Sequence, residues 1–433
     1  MRFAALLLLC APLVCAQDRY DLLLKNGHVI DPRNNIDAVR DVAIRDHKIA
    51  AVAANIPAAQ AIKVVDASGL YVTPGLIDIH MHLYTGTGEK GSYAGDNSIY
   101  PDGFTLRNGV TTAVDAGSSG AANFADFKAK VIDRSKTRIL AFINIVNKGM
   151  RGGPIEQDVA DMQPQLAADT VKKYSQVLVG IKTAHYAGPD WTPVERAVQA
   201  GTTANVPVMV DFGIFASQRP YQELVTTKLR PGDISTHCFR DAVPLFDEKG
   251  KLLPYLPQAR QRGVKFDVGH GGGSFVFYQA VPAIEQGWLP DSISTDLHIA
   301  SMNSGAHDML SVMSRLLDMG DPLKEVIRQS TWNPAREIRH EELGNLSIGS
   351  IADVALLRVE KGSFGFVDSY GGRMAGTQML RCELTIKDGL TVFDLNGITR
   401  EDWKKLPKRY GAQGDVKWDG TISEATRDMT RKP

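Results

Sequence analysis

Eight short apolar runs separated by stretches of helical periodicity limit the fold of this chain more than any other feature. They occupy 76–80, 111–115, 139–144, 178–182, 206–211, 233–237, 264–268 and 292–296. Strands that alternate with helices must run parallel, because each helix carries the chain back to the edge where the previous strand began. Eight such units predict an α/β fold, a TIM-like (β/α)8 barrel. Helical stretches such as 194–204 and 322–329 fill the gaps. A barrel takes about 250 residues, and the 433 available leave room for a second, smaller unit.

That unit is expected from the two ends. From 20 to 70 the chain runs in short strand patterns broken by turn residues, and the same texture returns after Gly344 in 351–357 and 383–389. The ends are expected to pair into a small β-sandwich domain. The division that follows is 17–72 and 344–398 for the two parts of the sandwich, 73–343 for the barrel and 399–433 for a polar C-terminal tail. Residues 1–16 carry one arginine, an apolar run from Phe3 to Val14 and a small residue at Ala16, the pattern of a secretory signal peptide. The run is too short to span a bilayer, and Val14 before Cys15 argues against a lipid anchor. The mature protein is expected to be periplasmic or secreted, without membrane insertion. Of four cysteines, Cys238 and Cys382 would remain, both in apolar strand patterns that favour buried free thiols. A formal net charge of +0 gives no reason to expect nucleic acid or an anionic membrane as a partner. The expected partner is a small-molecule substrate, and oligomerisation stays open.

In a barrel of this kind, side chains at the C-terminal strand ends converge on the active face. Here those residues are His80, His82, Lys182, Asp211, His237 and Asp296. His80 and His82 stand two apart, so an extended strand points both imidazoles the same way, and each can bind one ion at about 2.0–2.1 Å. Asp296 can ligate an ion or take a proton from water; capping a helix is the structural alternative. Lys182 could equally be a solvated loop lysine. His270, in a glycine-rich turn beside Gly271, Gly272 and Gly273, is read as lining the substrate pocket or as a satisfied structural histidine. Lys148, Arg151, Tyr186, Arg240 and His298 lie in loops after strands and are candidates to hold a substrate carboxylate.

The run Pro74-Gly75-Leu76-Ile77-Asp78-Ile79-His80-Met81-His82 resembles the amidohydrolase superfamily, and the β segments at both ends resemble that superfamily's accessory sandwich. Val179-Gly180-Ile181-Lys182, the run 266–275 and Ser294-Thr295-Asp296 resemble its deacetylase branch, similar to D-aminoacylases and dihydroorotases. The resemblance implies a carboxylated Lys182 bridging two divalent ions, zinc first among them, with His80, His82, Lys182, His237 and Asp296 as ligands. It also implies Asp296 as the catalytic proton shuttle. The chain departs from the pattern at the fifth strand, where Asp211 stands in place of the usual histidine. A carboxylate also binds zinc, at about 2.0–2.2 Å, so one ion or two remains open. His185, three residues beyond Lys182, can compensate from the loop or stay at the rim.

The implied activity is hydrolysis of an amide or ester bond in a small molecule, of the N-acyl amino acid or acylated hydroxy acid type. A cyclic amidase of dihydroorotase or hydantoinase type is the alternative enzyme, and a non-catalytic binding protein on the same fold is the alternative outside enzymes.

Overall fold

The computed structural model describes residues 19–406 apart from 214, 215 and 303, so the proposed signal and most of the tail lie outside the described residues. Five strands come first: β1 (Tyr20–Asp31), β2 (Ile36–Arg45), β3 (Lys48–Ala53), β4 (Ala61–Asp66) and β5 (Tyr71–Pro74). Seven follow: β6 (Leu76–Met81), β7 (Val110–Ala116), β8 (Arg138–Asn144), β9 (Leu178–Thr183), β10 (Val208–Val210), β11 (Ile234–Ser235) and β12 (Lys265–Phe266). Three close the chain: β13 (Val354–Val367), β14 (Arg373–Lys387) and β15 (Leu390–Asp394).

The middle seven form a parallel sheet in simple order from β6 to β12. Every residue of β6, β7, β9 and β10 is buried. A strand covered on both faces needs no polar alternation, which is why these segments read as continuous apolar runs. The eighth expected strand, 292–296, is not a regular strand. It makes single parallel bridges, Asp267 with Ser292 and Met81 with Leu297, and so spans the space between β12 and β6. The Asp296 N–H donates to the His80 carbonyl at 2.7 Å, and the His82 N–H to the Leu297 carbonyl at 3.0 Å. Asp296 itself has φ 48, a left-handed conformation that turns the chain out of the extended ladder. The result is a mixed α/β fold whose parallel sheet curls until its two edge strands share a connecting segment.

The other sheet takes strands from both chain ends, in the order β15-β14-β13-β5-β1-β2-β3 with β4 beside β1. The join is the antiparallel pair β5 and β13, with Val72 opposite Leu356. Leu24, Val29, Val42 and Ile44 from the first end pack in one cluster with Val354, Leu356, Leu384 and Ile386 from the second. Each such buried side chain contributes roughly 1.5–3 kcal/mol, so neither end has a complete core alone. β13 and β14 run far beyond the expected 351–357 and 383–389. Their distal part packs on the helix Met309–Asp318, where the Leu380 N–H donates to Ser314 Oγ at 2.9 Å. The hairpin tip reaches the loop after β12, where the Ser369 N–H meets the Phe275 carbonyl at 2.9 Å.

Gly75 sits where the two sheets meet. A Cβ there would lie 2.3 Å from Thr111 Oγ1, so the Pro-Gly step before β6 needs glycine for the close approach. Arg138, at the start of β8, donates to both Asp353 and Asp388 and ties the base of the parallel sheet to the chain-end sheet. Cys238 and Cys382 are free and buried. Among the described residues no helix is long and apolar enough to cross a membrane.

Candidate active site

The C-terminal ends of the parallel strands open into a cavity of about 320 Å³. His80, His82, Lys182, Asp211, His237 and Asp296 all line it. Their donor atoms fall into two groups. In the first, Asp296 Oδ1 lies 3.1 Å from His82 Nε2 and 3.5 Å from His80 Nε2. In the second, Asp211 Oδ2 lies 3.4 Å from His237 Nε2 and 3.3 Å from His185 Nε2. Lys182 Nζ reaches His80 Nε2 at 3.1 Å, and the rings of His80 and His237, one from each group, stand 5.1 Å apart.

These separations suit a shared cation. Ligands about 2.0–2.1 Å from a tetrahedral zinc stand roughly 3.3 Å apart, the spacing found in both groups. Asp296 Oδ1 is buried and accepts no hydrogen bond, an expensive arrangement unless a cation faces it. Among the described residues, His80, His82 and Asp296 bring three donor atoms within 4.8 Å of one another. Burial would raise the Asp296 carboxyl, but His80, His298 and His82 hold it well below the ordinary carboxylate range. Burial likewise opposes ionisation of Asp211, and His237 and His185 overcome it. His80 and His82 are pushed down by burial, to about 4 and about 3, and so stand as neutral imidazoles, the form that ligates metal.

Backbone conformation aims several of these groups. His185, His237 and Asp296 have φ of 58°, 61° and 48°. Left-handed residues end the regular strands and turn their side chains over the mouth, at a strain of about 1–3 kcal/mol each. β11 stops at Ser235 for this reason. The Nδ1 atoms are held from behind: His80 by Thr236 Oγ1 at 2.9 Å, His82 by Ser118 Oγ at 2.8 Å, and His237 by the Gly269 carbonyl at 2.6 Å.

Lys182 is 1% exposed, with His80 Nε2 and Met209 Sδ as the neighbours of its nitrogen. Burial lowers its pKa, although Asp211 and Asp296 pull the other way. A buried lysine without a hydrogen-bonded carboxylate is not the solvated loop residue that the structural alternative required.

One expectation is corrected. His270 does not line the cavity; its ring is fully buried and stacks on Phe275 with centroids 4.5 Å apart. The adjoining Gly272, Gly273 and Ser274 form the wall instead, because the left-handed Gly269 and Gly271 fold the turn with the ring inward. His185, placed between rim and interior by sequence, reaches inward, its Nδ1 braced by Glu156 at 2.7 Å. Of the loop candidates, Arg240 and His298 line the cavity. Arg151 pairs with Glu89 and the Tyr186 hydroxyl donates to Asp190, while Lys148 is absent from the lining. Tyr93 was not anticipated. Its ring lies 4.3 Å from that of His82, and its hydroxyl is 3.4 Å from His298 Nε2. The signal was the long segment between β6 and β7, since a long loop on the active face is usually functional.

No family model matches the chain. It is similar to a deacetylase of Brucella anthropi, with 34% identity over 345 residues that cover 77% of this chain and 83% of the relative. Among solved structures it is similar to an adenine deaminase at 30% identity and TM-score 0.78, covering 87% of this chain and all of the other. It is also similar to a dihydroorotase at 30% identity and TM-score 0.73, covering 86% of this chain and 99% of the other.

Proposed function

Because this chain belongs to the amidohydrolase superfamily, in its deacetylase branch, we propose that it removes an acyl group from a small N-acyl amino acid or acylated hydroxy acid. It is a metal-dependent hydrolase. The observation that carries the reading is the buried Asp296 carboxylate, without a hydrogen-bond donor on Oδ1, facing the Nε2 atoms of His80 and His82 at the wall of the cavity.

His80, His82 and Asp296 would hold one divalent cation, with zinc suited to this nitrogen and oxygen set. Lys182 as its carbamate, with His237 and Asp211 or His185, would hold a second. When bound, such a cation polarises the scissile carbonyl and acidifies a water at neutral pH. The protein does the rest. Asp296, whose carboxyl lies well below its ordinary pKa, accepts the proton of the attacking water and returns it to the departing nitrogen or oxygen. The Tyr93 hydroxyl and the Arg240 guanidinium line the cavity, where they can hold polar groups of the substrate. The carbamate forms by attack of the neutral Lys182 amine on carbon dioxide with loss of a proton. Its two oxygens and negative charge would suit cations that an ammonium at Lys182 would repel.

The proposal carries an architecture and a location. The parallel sheet with its connecting segment is a (β/α)8 barrel over 73–343, and 17–72 with 344–398 make a small β-sandwich. Residues 1–16 direct export, and the mature chain begins near Gln17 outside the cytoplasm.

Asp211 offers a test of the second cation. Asp211→Ala is expected to reduce the metal content from two ions per chain to about one, with a sharp fall in activity. Elemental analysis of protein purified with excess zinc decides it; an unchanged content of two would remove Asp211 from the ligand set. The substrate class is tested by a screen of zinc-loaded protein against N-acyl amino acids, acyl esters and cyclic amides. Turnover of the acylated acids is the expected result. Turnover of cyclic amides alone would establish the ring-opening alternative, and no turnover of any class would leave a binding protein.

A further inference from the structure

Behind the cavity wall one fully buried carboxylate, Asp267, connects two of the histidines. It accepts three hydroxyl protons: Thr236 Oγ1 at 2.7 Å and Ser294 Oγ at 2.7 Å on Oδ2, and Ser292 Oγ at 2.9 Å on Oδ1. A hydroxyl has one proton to give. Thr236 gives its proton to Asp267, so toward His80 Nδ1, 2.9 Å away, it can only accept. His80 must therefore carry its proton on Nδ1 and turn the lone pair of Nε2 into the cavity. On the other branch, Ser294 Oγ accepts the Gly269 N–H at 3.0 Å, and the Gly269 carbonyl accepts from His237 Nδ1 at 2.6 Å. A carbonyl cannot donate, so His237 is held in the same sense.

The packing around the junction leaves no slack. A Cβ on Gly269 would lie 2.3 Å from Thr236 Oγ1, 2.8 Å from His237 Nδ1 and 3.0 Å from His80 Nδ1. Gly269 also has φ 45, so that glycine meets both the steric and the backbone requirement.

We propose that Asp267 is a positioning residue that sets the ring tautomer and orientation of His80 through Thr236, and the orientation of His237 by fixing, through Ser294, the Gly269 turn whose carbonyl holds that ring, and so prepares ligands from both donor groups together. The inference rests on the reading of those histidines as metal ligands. Partners of this kind raise ligand basicity and fix the ring, and their loss typically costs about 10–100-fold in metal affinity. His80 Nδ1 also lies 3.7 Å from Asp267 Oδ2 itself, so loss of the Thr236 hydroxyl removes the acceptor that orients His80, while loss of the Ser294 hydroxyl loosens the His237 branch alone.

The test uses the full chain, stripped of metal, with nitrogen NMR of the imidazoles, followed by zinc affinity from chelator competition. Wild type is expected to show His80 and His237 with protonated Nδ1. Thr236→Val, close to isosteric, should perturb the His80 signals and weaken zinc binding about 10–100-fold, while Thr236→Ser restores both. Ser294→Ala should perturb His237 and leave His80 largely in place, and Asp267→Asn should perturb both rings. If Asp267→Asn does not fold, the two single-branch variants carry the test. Unchanged ring signals and zinc affinity in both Thr236→Val and Ser294→Ala would overturn the proposal. Should wild type take up no zinc, the metal-ligand reading fails, and the ring signals of the metal-free protein still decide the network.

Discussion

Asp296→Asn is expected to lower kcat by at least ~10²-fold while leaving zinc binding largely intact, in line with the loss of a general base. The amide has the size of the carboxylate and keeps one coordinating oxygen, but it cannot accept the proton of the attacking water. Two features make the effect large. The carboxyl is held well below its ordinary pKa, against burial, by the cationic forms of His80, His298 and His82, so it has lost its proton before the neutral range is reached. Its main chain is also fixed, at φ 48 with the Asp296 N–H donating to the His80 carbonyl, so the side chain keeps its aim into the cavity. Steady-state kinetics with metal content measured on the same preparation separates the base from the ligand. Near-native turnover in the variant would exclude Asp296 as the proton shuttle even if it binds the cation.

Lys182→Ala is expected to reduce both turnover and bound metal, with partial recovery in formate, acetate or propionate. Metal polarisation supplies several kcal/mol of transition-state stabilisation, and each 1.36 kcal/mol is tenfold in rate, so the loss should be roughly 10²-fold or more. Recovery by short carboxylic acids follows from the shape of the gap: alanine leaves room for a carboxylate to enter beside His80, where the carbamate oxygens would have stood. A Cβ on Gly117 would lie 2.5 Å from Lys182 Cβ, so glycine there leaves room for the lysine stem, whose end lines the cavity. Rescue that follows acid concentration and size marks a carbamate. Unchanged metal content and rate would mean that Lys182 has no part in holding either cation.

The parallel strands were legible because strands covered on both faces become unbroken apolar runs, and the buried residues of β6, β7 and β9 coincide with them. The eighth was harder. Asp296 leaves the extended region, and only two single bridges bind its segment to β12 and β6. The long hairpin of β13 and β14 escaped for the opposite reason. Arg358, Lys361, Arg373 and Arg381 make its distal part look like a loop, whereas the pairing is main-chain and continues past them, with a register shift between Lys361 and Phe364.

At the site, the strand-end rule brought six residues to one cavity, because it depends only on strand direction. What periodicity does not contain is the direction of side chains in irregular turns. His270 points into the core against Phe275, and His185 points inward from a left-handed position; both depend on backbone angles set by neighbouring glycines or by strain. Tyr93 lies far from every strand end in sequence and reaches His82 only through the path of its loop. The carboxylate behind the histidines, Asp267, reads in sequence as one more residue of the seventh strand pattern, because its hydroxyl partners come from two other segments.

The most direct test is a zinc titration of metal-free protein with hydrolysis of an N-acyl amino acid followed at each step. The expected result is no turnover without metal and a rate that rises with zinc bound, reaching its limit when the site of His80, His82 and Asp296 and the site of Lys182, His237 and Asp211 are both full. Equal turnover in the metal-free protein, or a fully loaded protein that leaves every acylated substrate intact, would contradict it.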